Sequence, residues 1–121
     1  MKKKLLAAFM CVTMVAGMSS VSFADETVTP NEAYDLAVIT MDSIDQHWVS
    51  LIGGAQEEAD ADGVTLTVMS PEKKDDALQI EAVNNAVAKG VDGIIIAANS
   101  EDAISGALNE AKDAGIKIVY V

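Results

Sequence analysis

The chain has no arginine, one cysteine, one histidine, one tryptophan and two prolines in 121 residues. Each scarcity narrows what the protein can be. A lone Cys11 cannot build a disulfide framework. A single His47, with no G-x-S-x-G and no G-x-x-x-x-G-K-[ST], leaves no nucleophile–base pair and no phosphate loop. The G-x-G-x-x-G of a dinucleotide-binding oxidoreductase is missing too. Positive charge is also scarce. Eight lysines face 19 acids, for a net charge of −11. That balance argues against nucleic acid and anionic membrane as partners.

Three of the eight lysines, Lys2–Lys4, open the chain. The apolar run behind them, Leu5–Gly17, is too short for a transmembrane helix. Ser22-Phe23-Ala24 then puts small residues at the two positions a signal peptidase reads. Residues 1–24 therefore read as an export signal rather than a membrane anchor. Cys11 lies inside the apolar run behind the bulky Met10, so it does not mark a lipoprotein and leaves with the signal. Cleavage after Ala24 removes three lysines and no acid, leaving 97 residues of net charge −14 without cysteine. This is enough for one small domain with a modest core. The expected location is the periplasm or the exterior of the cell envelope, with no stable membrane insertion after cleavage.

What remains is regular. Asp25–Asn31 is a polar leader carrying Pro30, and the folded part starts at Tyr34. Leu36–Ile39 is an unbroken apolar run, so Asp35–Thr40 reads as a strand buried on both faces of a parallel sheet. A polar loop, Met41–Gln46, leads into a helix from His47 to about Asp60. Trp48, Leu51, Ile52, Ala55 and Ala59 form its apolar stripe. Ser43 and Gln46 have capping-box spacing, with Asp45 as the alternative cap. Gly53-Gly54 inside this helix suggests close packing on the sheet. Gly63 stops the helix.

The same unit then recurs. Val64–Met69 is a half-exposed strand and Asp75–Lys89 a helix with Leu78, Ala82, Val83, Ala86 and Val87 inward. Val91–Ala98 is the strongest buried strand. Glu101–Ala114 is a helix capped by Ser100, with Ile104, Ala107, Leu108 and Ala111 inward. Ile116–Val121 is a last strand. Strands recurring every 25 to 30 residues or so are what successive βα units require. Right-handed crossovers then predict an α/β, doubly wound, Rossmann-like parallel sheet of strand order 2-1-3-4. The last strand is apolar on both faces with nothing after it, so we expect the chain to be the first lobe of a larger protein.

Ligands of such sheets bind outside the carboxyl ends of the strands. That directs attention to Met41–Trp48 and to Asn99-Ser100. Trp48 offers an indole face and an N–H donor, or a core side chain on the helix stripe. His47 is a hydroxyl donor or a solvated surface residue. Asp42 and Asp45 are hydroxyl acceptors or helix caps. Asn99 and Ser100 are ligand contacts or a turn and a cap. The acids Glu57, Glu58, Asp60 and Asp62 do not converge and read as a solvated helix face rather than a metal site. No catalytic residue, metal site or cofactor is implied.

These phrases in this order resemble a known family. "DLAVITMDSIDQHWVSLIGGAQEEADADGVTLTV" is similar to the opening strand, ligand loop and first helix of type I periplasmic binding proteins. These are the ribose/galactose-binding family serving ABC sugar importers. "QIEAVNNAVAKGVDGIIIAANSEDAISGALNEAKDAGIKIVYV" resembles the run that follows in that family. The resemblance spans Tyr34–Val121. It implies the N-terminal lobe of a two-lobe, non-enzymatic receptor that closes on a sugar or similar small polar ligand, with an ABC permease as partner. It implies a ligand role for Trp48 and His47, at aromatic positions, and for Asp45, at a sugar-bonding position. Asn99 and Ser100 stand where ribose-type members are expected to carry an Asp, which argues against ribose itself. The alternatives are a sensing receptor coupled to a chemoreceptor or kinase, the effector domain of a LacI-type transcription repressor, and a truncated Rossmann-type enzyme. The export signal and the missing helix-turn-helix oppose the second, and the missing glycine fingerprint opposes the third.

The first expectation open to test is the processing site. Exported material should have an intact mass that begins at Asp25. A product retaining residues 1–24, or one lipidated at Cys11, would refute this reading.

Overall fold

The computed structural model describes residues 33–121, so the expected export signal and nearly all of the expected leader lie outside the described residues. The elements run β1 (Asp35–Ile39), α1 (Gln46–Asp62), β2 (Thr65–Val68), α2 (Asp76–Lys89), β3 (Gly93–Ile96), α3 (Glu101–Asp113) and β4 (Lys117–Tyr120). All three strand pairings are parallel and the sheet order is β2-β1-β3-β4, as the repeating units predict. β1 is paired on both sides, Ala37 facing Thr67 on one flank and Ile94 on the other. Its Ala37, Val38 and Ile39 are fully buried.

The two faces of the sheet are covered unequally. The main core lies between the sheet and α2 with α3. Ile39, Ile94 and Ile96 meet Val83, Ala86, Ile104 and Leu108 there. Each fully buried aliphatic side chain of this kind stabilises the fold by about 1.5–3 kcal/mol. The inward stripe of α3 is the one its periodicity indicates, Ile104, Ala107, Leu108 and Ala111. On α2, Ala82, Val83 and Ala86 are buried as expected, but Leu78 and Val87 are only half-buried. Gln79, which the apolar stripe does not include, is buried as deeply as any of them.

The other face is thinner. α1 lies against β2, and of its residues only Ala59 is buried. Trp48, Leu51, Ile52 and Ala55 are half-buried. The apolar stripe is real, yet Leu51 and Ala55 border an apolar trough of about 430 Å³ shared with Leu36, Ile95, Val119 and Val121. β4 is an edge strand, with Val119 54% and Tyr120 58% exposed, and Lys112 Nζ sits 5.9 Å from the Tyr120 ring centroid.

Helix ends follow local chemistry, with two corrections. The cap of α1 is Asp45, whose side chain accepts from His47 N–H at 2.9 Å, so the Ser43/Gln46 box is not used. The helix therefore begins at Gln46 and runs to Asp62 rather than Asp60. Asp75 and Ser100 cap α2 and α3 in the same way, accepting from Leu78 and Ala103 N–H. Gly63 and Gly90 close α1 and α2 at φ 70° and 78°, a left-handed backbone that side chains disfavour.

The second correction concerns Gly53-Gly54. A Cβ at either position would meet nothing within 4 Å, so close packing on the sheet is not their reason. Both are exposed. An internal helical glycine costs about 1 kcal/mol relative to Ala, and nothing in the packing around α1 offsets it. Gly53→Ala and Gly54→Ala should each raise stability by about 0.5–1 kcal/mol in denaturant unfolding. A loss of stability in both variants would show that these positions are packed after all.

Candidate functional site

The loops after β1, β2 and β3 meet at one edge of the sheet, and polar side chains tie them together. Thr40, fully buried, is the first residue past β1. Its N–H donates to Ser70 Oγ at 2.9 Å, and its Oγ1 lies 2.7 Å from Ser70 Oγ and 2.6 Å from Asp42 O. This fastens the β1 loop to the β2 loop. Gln79, from the first turns of α2, fastens the β1 loop to the β3 loop. Its Nε2 donates to Thr40 O (3.2 Å) and Ala97 O (2.8 Å), and its Oε1 accepts from Asn99 N–H (2.9 Å).

Asp42 shapes the β1 loop itself. Its Oδ1 accepts from the N–H groups of Ile44 (3.0 Å) and Asp45 (2.8 Å), while Lys74 Nζ lies 3.8 Å from Oδ2. It is only 4% exposed. The Asp45 N–H is the strongest influence holding its carboxyl below the usual carboxylate range. Burial opposes this, and the Ile44 N–H and the Lys74 charge assist. Asp45 spends one oxygen on the α1 cap. His47 and Trp48 follow as an edge-to-face pair, ring centroids 4.6 Å apart and planes at 72°. His47 is exposed and Trp48 half-buried, so Trp48 is neither a core side chain nor a fully solvated one.

Between the three loops lies a cleft of about 430 Å³, lined by Met41, Lys74, Asp75, Asp76, Ala77 and Asn99. Asn99 is distinctive: its Oδ1 and Nδ2 are both buried without a hydrogen-bond partner. Buried amides are ordinarily paired, because an unmet polar group costs about 1–3 kcal/mol. Ser100 beside it caps α3. Of the six residues singled out from sequence, then, Asn99 lines the cleft, Asp42 and Asp45 form its loop, Ser100 anchors the helix behind it, and His47 and Trp48 pair at the start of α1. The lining residues Lys74, Asp75 and Asp76 were not singled out. Their signal was their place after β2, a strand parallel to β1 and β3, since every such loop reaches the same edge. A larger cavity of about 690 Å³ runs along β2 and α2, past Thr67, Met69 and Leu78. The loops after β1 and β3 contribute nothing to it, so the smaller cleft is the better candidate.

The carboxyl edge of an open parallel sheet is where small-molecule sites of this architecture usually lie, and this cleft occupies that edge. Residues 36–121 match the family model described as periplasmic binding protein domain, and the chain belongs to that family. Its fold is that of the N-terminal lobe of the type I members. Among similar solved structures is a sugar transporter from Clostridium phytofermentans, 32% identical with a TM-score of 0.69, covering 74% of this chain and 34% of that one. An ABC transporter solute-binding protein of the same organism, with bound L-rhamnose, is 31% identical with a TM-score of 0.71, covering 74% and 28%. A third, from Actinobacillus succinogenes with bound D-allose, is 30% identical with a TM-score of 0.67, covering 70% and 30%. The chain thus spans about a third or less of the length of each. The second and third of these neighbours are solute-binding proteins. Among the described residues no helix is long and apolar enough to cross a membrane, and no three His, Cys, Asp or Glu side chains converge as a metal site.

The Asp42 carboxylate yields a pH prediction. Its folded pKa lies below its unfolded value. The stabilisation is therefore complete above the unfolded value, near 4, and is lost as pH falls through the folded one. Asp42→Asn should unfold at lower denaturant than wild type at pH 7, and the gap should close as pH drops below about 4. A gap that stays constant down to pH 2 would mean the charge contributes nothing.

Proposed function

We propose that the chain is one lobe of an exported solute-binding protein of an ABC importer, and that it binds a sugar or similar small polar ligand against a second lobe. The observation that carries this is the unpartnered Asn99 amide in the cleft wall. A primary amide offers two donors and an acceptor, a match for neighbouring sugar hydroxyls that both give and take hydrogen bonds. The carboxylates of Asp75 and Asp76 and the Lys74 ammonium add an acceptor pair and a donor on the facing wall. Trp48, paired with His47 at the start of α1, lies outside the cleft lining, and its indole is the proposed apolar face for the ring beside the cleft. Bound L-rhamnose and D-allose in the similar structures support a monosaccharide as the ligand class. Binding is the proposed role, as in the solute-binding proteins among the similar structures. The ABC permease is the proposed protein partner, and the periplasm or cell exterior the proposed location.

One lobe walls the ligand on one side only, whereas a tight site buries 70–90% of a ligand of this size. The chain alone should therefore bind monosaccharides with no better than about millimolar affinity. Titrating the isotope-labelled chain with L-rhamnose and D-allose should shift the amides of Met41, Lys74–Ala77 and Asn99-Ser100 and leave the β4 edge still. Trp48→Ala should weaken the response several-fold, up to about tenfold. Shifts confined to other surfaces would remove the sugar site from this cleft. Micromolar affinity would overturn the two-lobe requirement.

A further inference from the structure

We propose that Gln79 is a positioning residue of this cleft, setting the separation of the β1 and β3 loops from beneath. The inference rests on the sugar-binding reading above. In the order β2-β1-β3-β4 the chain reverses its direction of travel across the sheet between β1 and β3. Ligand crevices open at such a switch point. Ile39 and Ile96 are the last register pair across it. Ile39 O still accepts from Ala97 N–H at 2.9 Å. Beyond that rung the two strands stop serving each other. Thr40 O and Ala97 O both turn to the Gln79 Nε2, and Asn99 N–H turns to its Oε1.

One side chain therefore replaces the missing rungs of the sheet. It is 1% exposed and does not line the cleft, so its effect must pass through the backbone it holds. Its orientation is unambiguous, because two carbonyls require the NH₂ group and an amide N–H requires the oxygen. Both of its donors and its oxygen are engaged, whereas both polar atoms of the Asn99 side chain are without a partner. The Gln79 amide fixes the Asn99 backbone and leaves the buried Asn99 side-chain amide unspent beside the cleft. An apolar residue of equal size would fill the same volume, yet it would orphan two carbonyls and one N–H at the crevice.

The test uses the full chain with Gln79→Met, which keeps the volume and removes all three bonds. In the absence of sugar, hydrogen exchange at the Asn99 amide should accelerate about tenfold, while the amides of Val38 and Ile95 at the sheet centre are unchanged. With D-allose or L-rhamnose, the response of Met41 and Asn99 should weaken about tenfold or more. Gln79→Glu, close to isosteric, keeps an acceptor for Asn99 N–H; buried against two carbonyl oxygens, its carboxyl is favoured protonated and keeps at most one of the two donors. It should retain Asn99 protection and still lose part of the sugar response, and it carries the test if Gln79→Met does not fold. Unchanged Asn99 exchange in Gln79→Met would show that the tie holds nothing. Altered exchange with an unaltered sugar response would make Gln79 merely structural and overturn the proposal. Altered exchange in Gln79→Met beside a wild type that answers to neither sugar would instead sink the sugar reading, and the positioning role with it.

Discussion

Parallel pairing is the constraint from which the rest follows. Two parallel strands cannot be joined by a tight turn, so each connection must travel back along the sheet as a helix before the next strand can start. Three such returns give this chain three helices and place every strand's carboxyl end on one edge. Polar loops far apart in sequence, at Met41, Ser70 and Asn99, become neighbours for that reason alone. β1 bears the constraint most heavily. Paired on both flanks and covered on both faces at Val38 and Ile39, it has to be apolar throughout until it reaches the edge. At Thr40 it changes character within one residue.

That change of character is costly unless every polar group finds a partner, and here nearly all do. Ser70, Asp42 and Gln79 meet the backbone and hydroxyl of Thr40 and the groups just past β3. The network does not add much net stability, since hydrogen bonds made on folding replace hydrogen bonds to water. Its effect is geometric: buried, mutually satisfied groups have few alternative arrangements. Against that background the unpaired Asn99 amide is informative, because a chain that satisfies so many buried groups in one small region leaves this one open.

The strands, their order and the inward face of α3 were legible because each depends on local periodicity or on a general rule of chain connection. Ile94–Ile96 and the Ile104, Ala107, Leu108, Ala111 stripe need no knowledge of their neighbours. α1 was less legible. Its stripe from Trp48 to Ala59 assumes a full partner, and β2 with the adjacent sheet face supplies only part of one. Gly53 and Gly54 misled for the same reason, since a glycine looks like a packing device only if something is packed there. Asp45 and the Ser43/Gln46 pair compete for one helix end, and the competition is decided by how Asp42 folds the loop before it, which no spacing reveals. Gln79 was illegible in kind. Its three partners lie 18 to 39 residues away, and a glutamine on a helix reads as solvent-facing until the topology is known.

The helix caps carry one more consequence. Asp45, Asp75 and Ser100 all stand at the ligand edge, while Gly63 and Gly90 stand at the opposite one. The three helices are therefore aligned, and their macrodipoles add: each presents roughly half a positive charge at the cleft and half a negative charge at the far end. A chain of net charge −11 is thus not uniformly negative in its field. It has a head, where free N–H groups point outward, and a tail, where carbonyls do. At the head those N–H groups stand beside the carboxylates of Asp45, Asp75, Asp76, Glu101 and Asp102, so a molecule rich in hydroxyls meets donors and acceptors together there and only carbonyls at the tail.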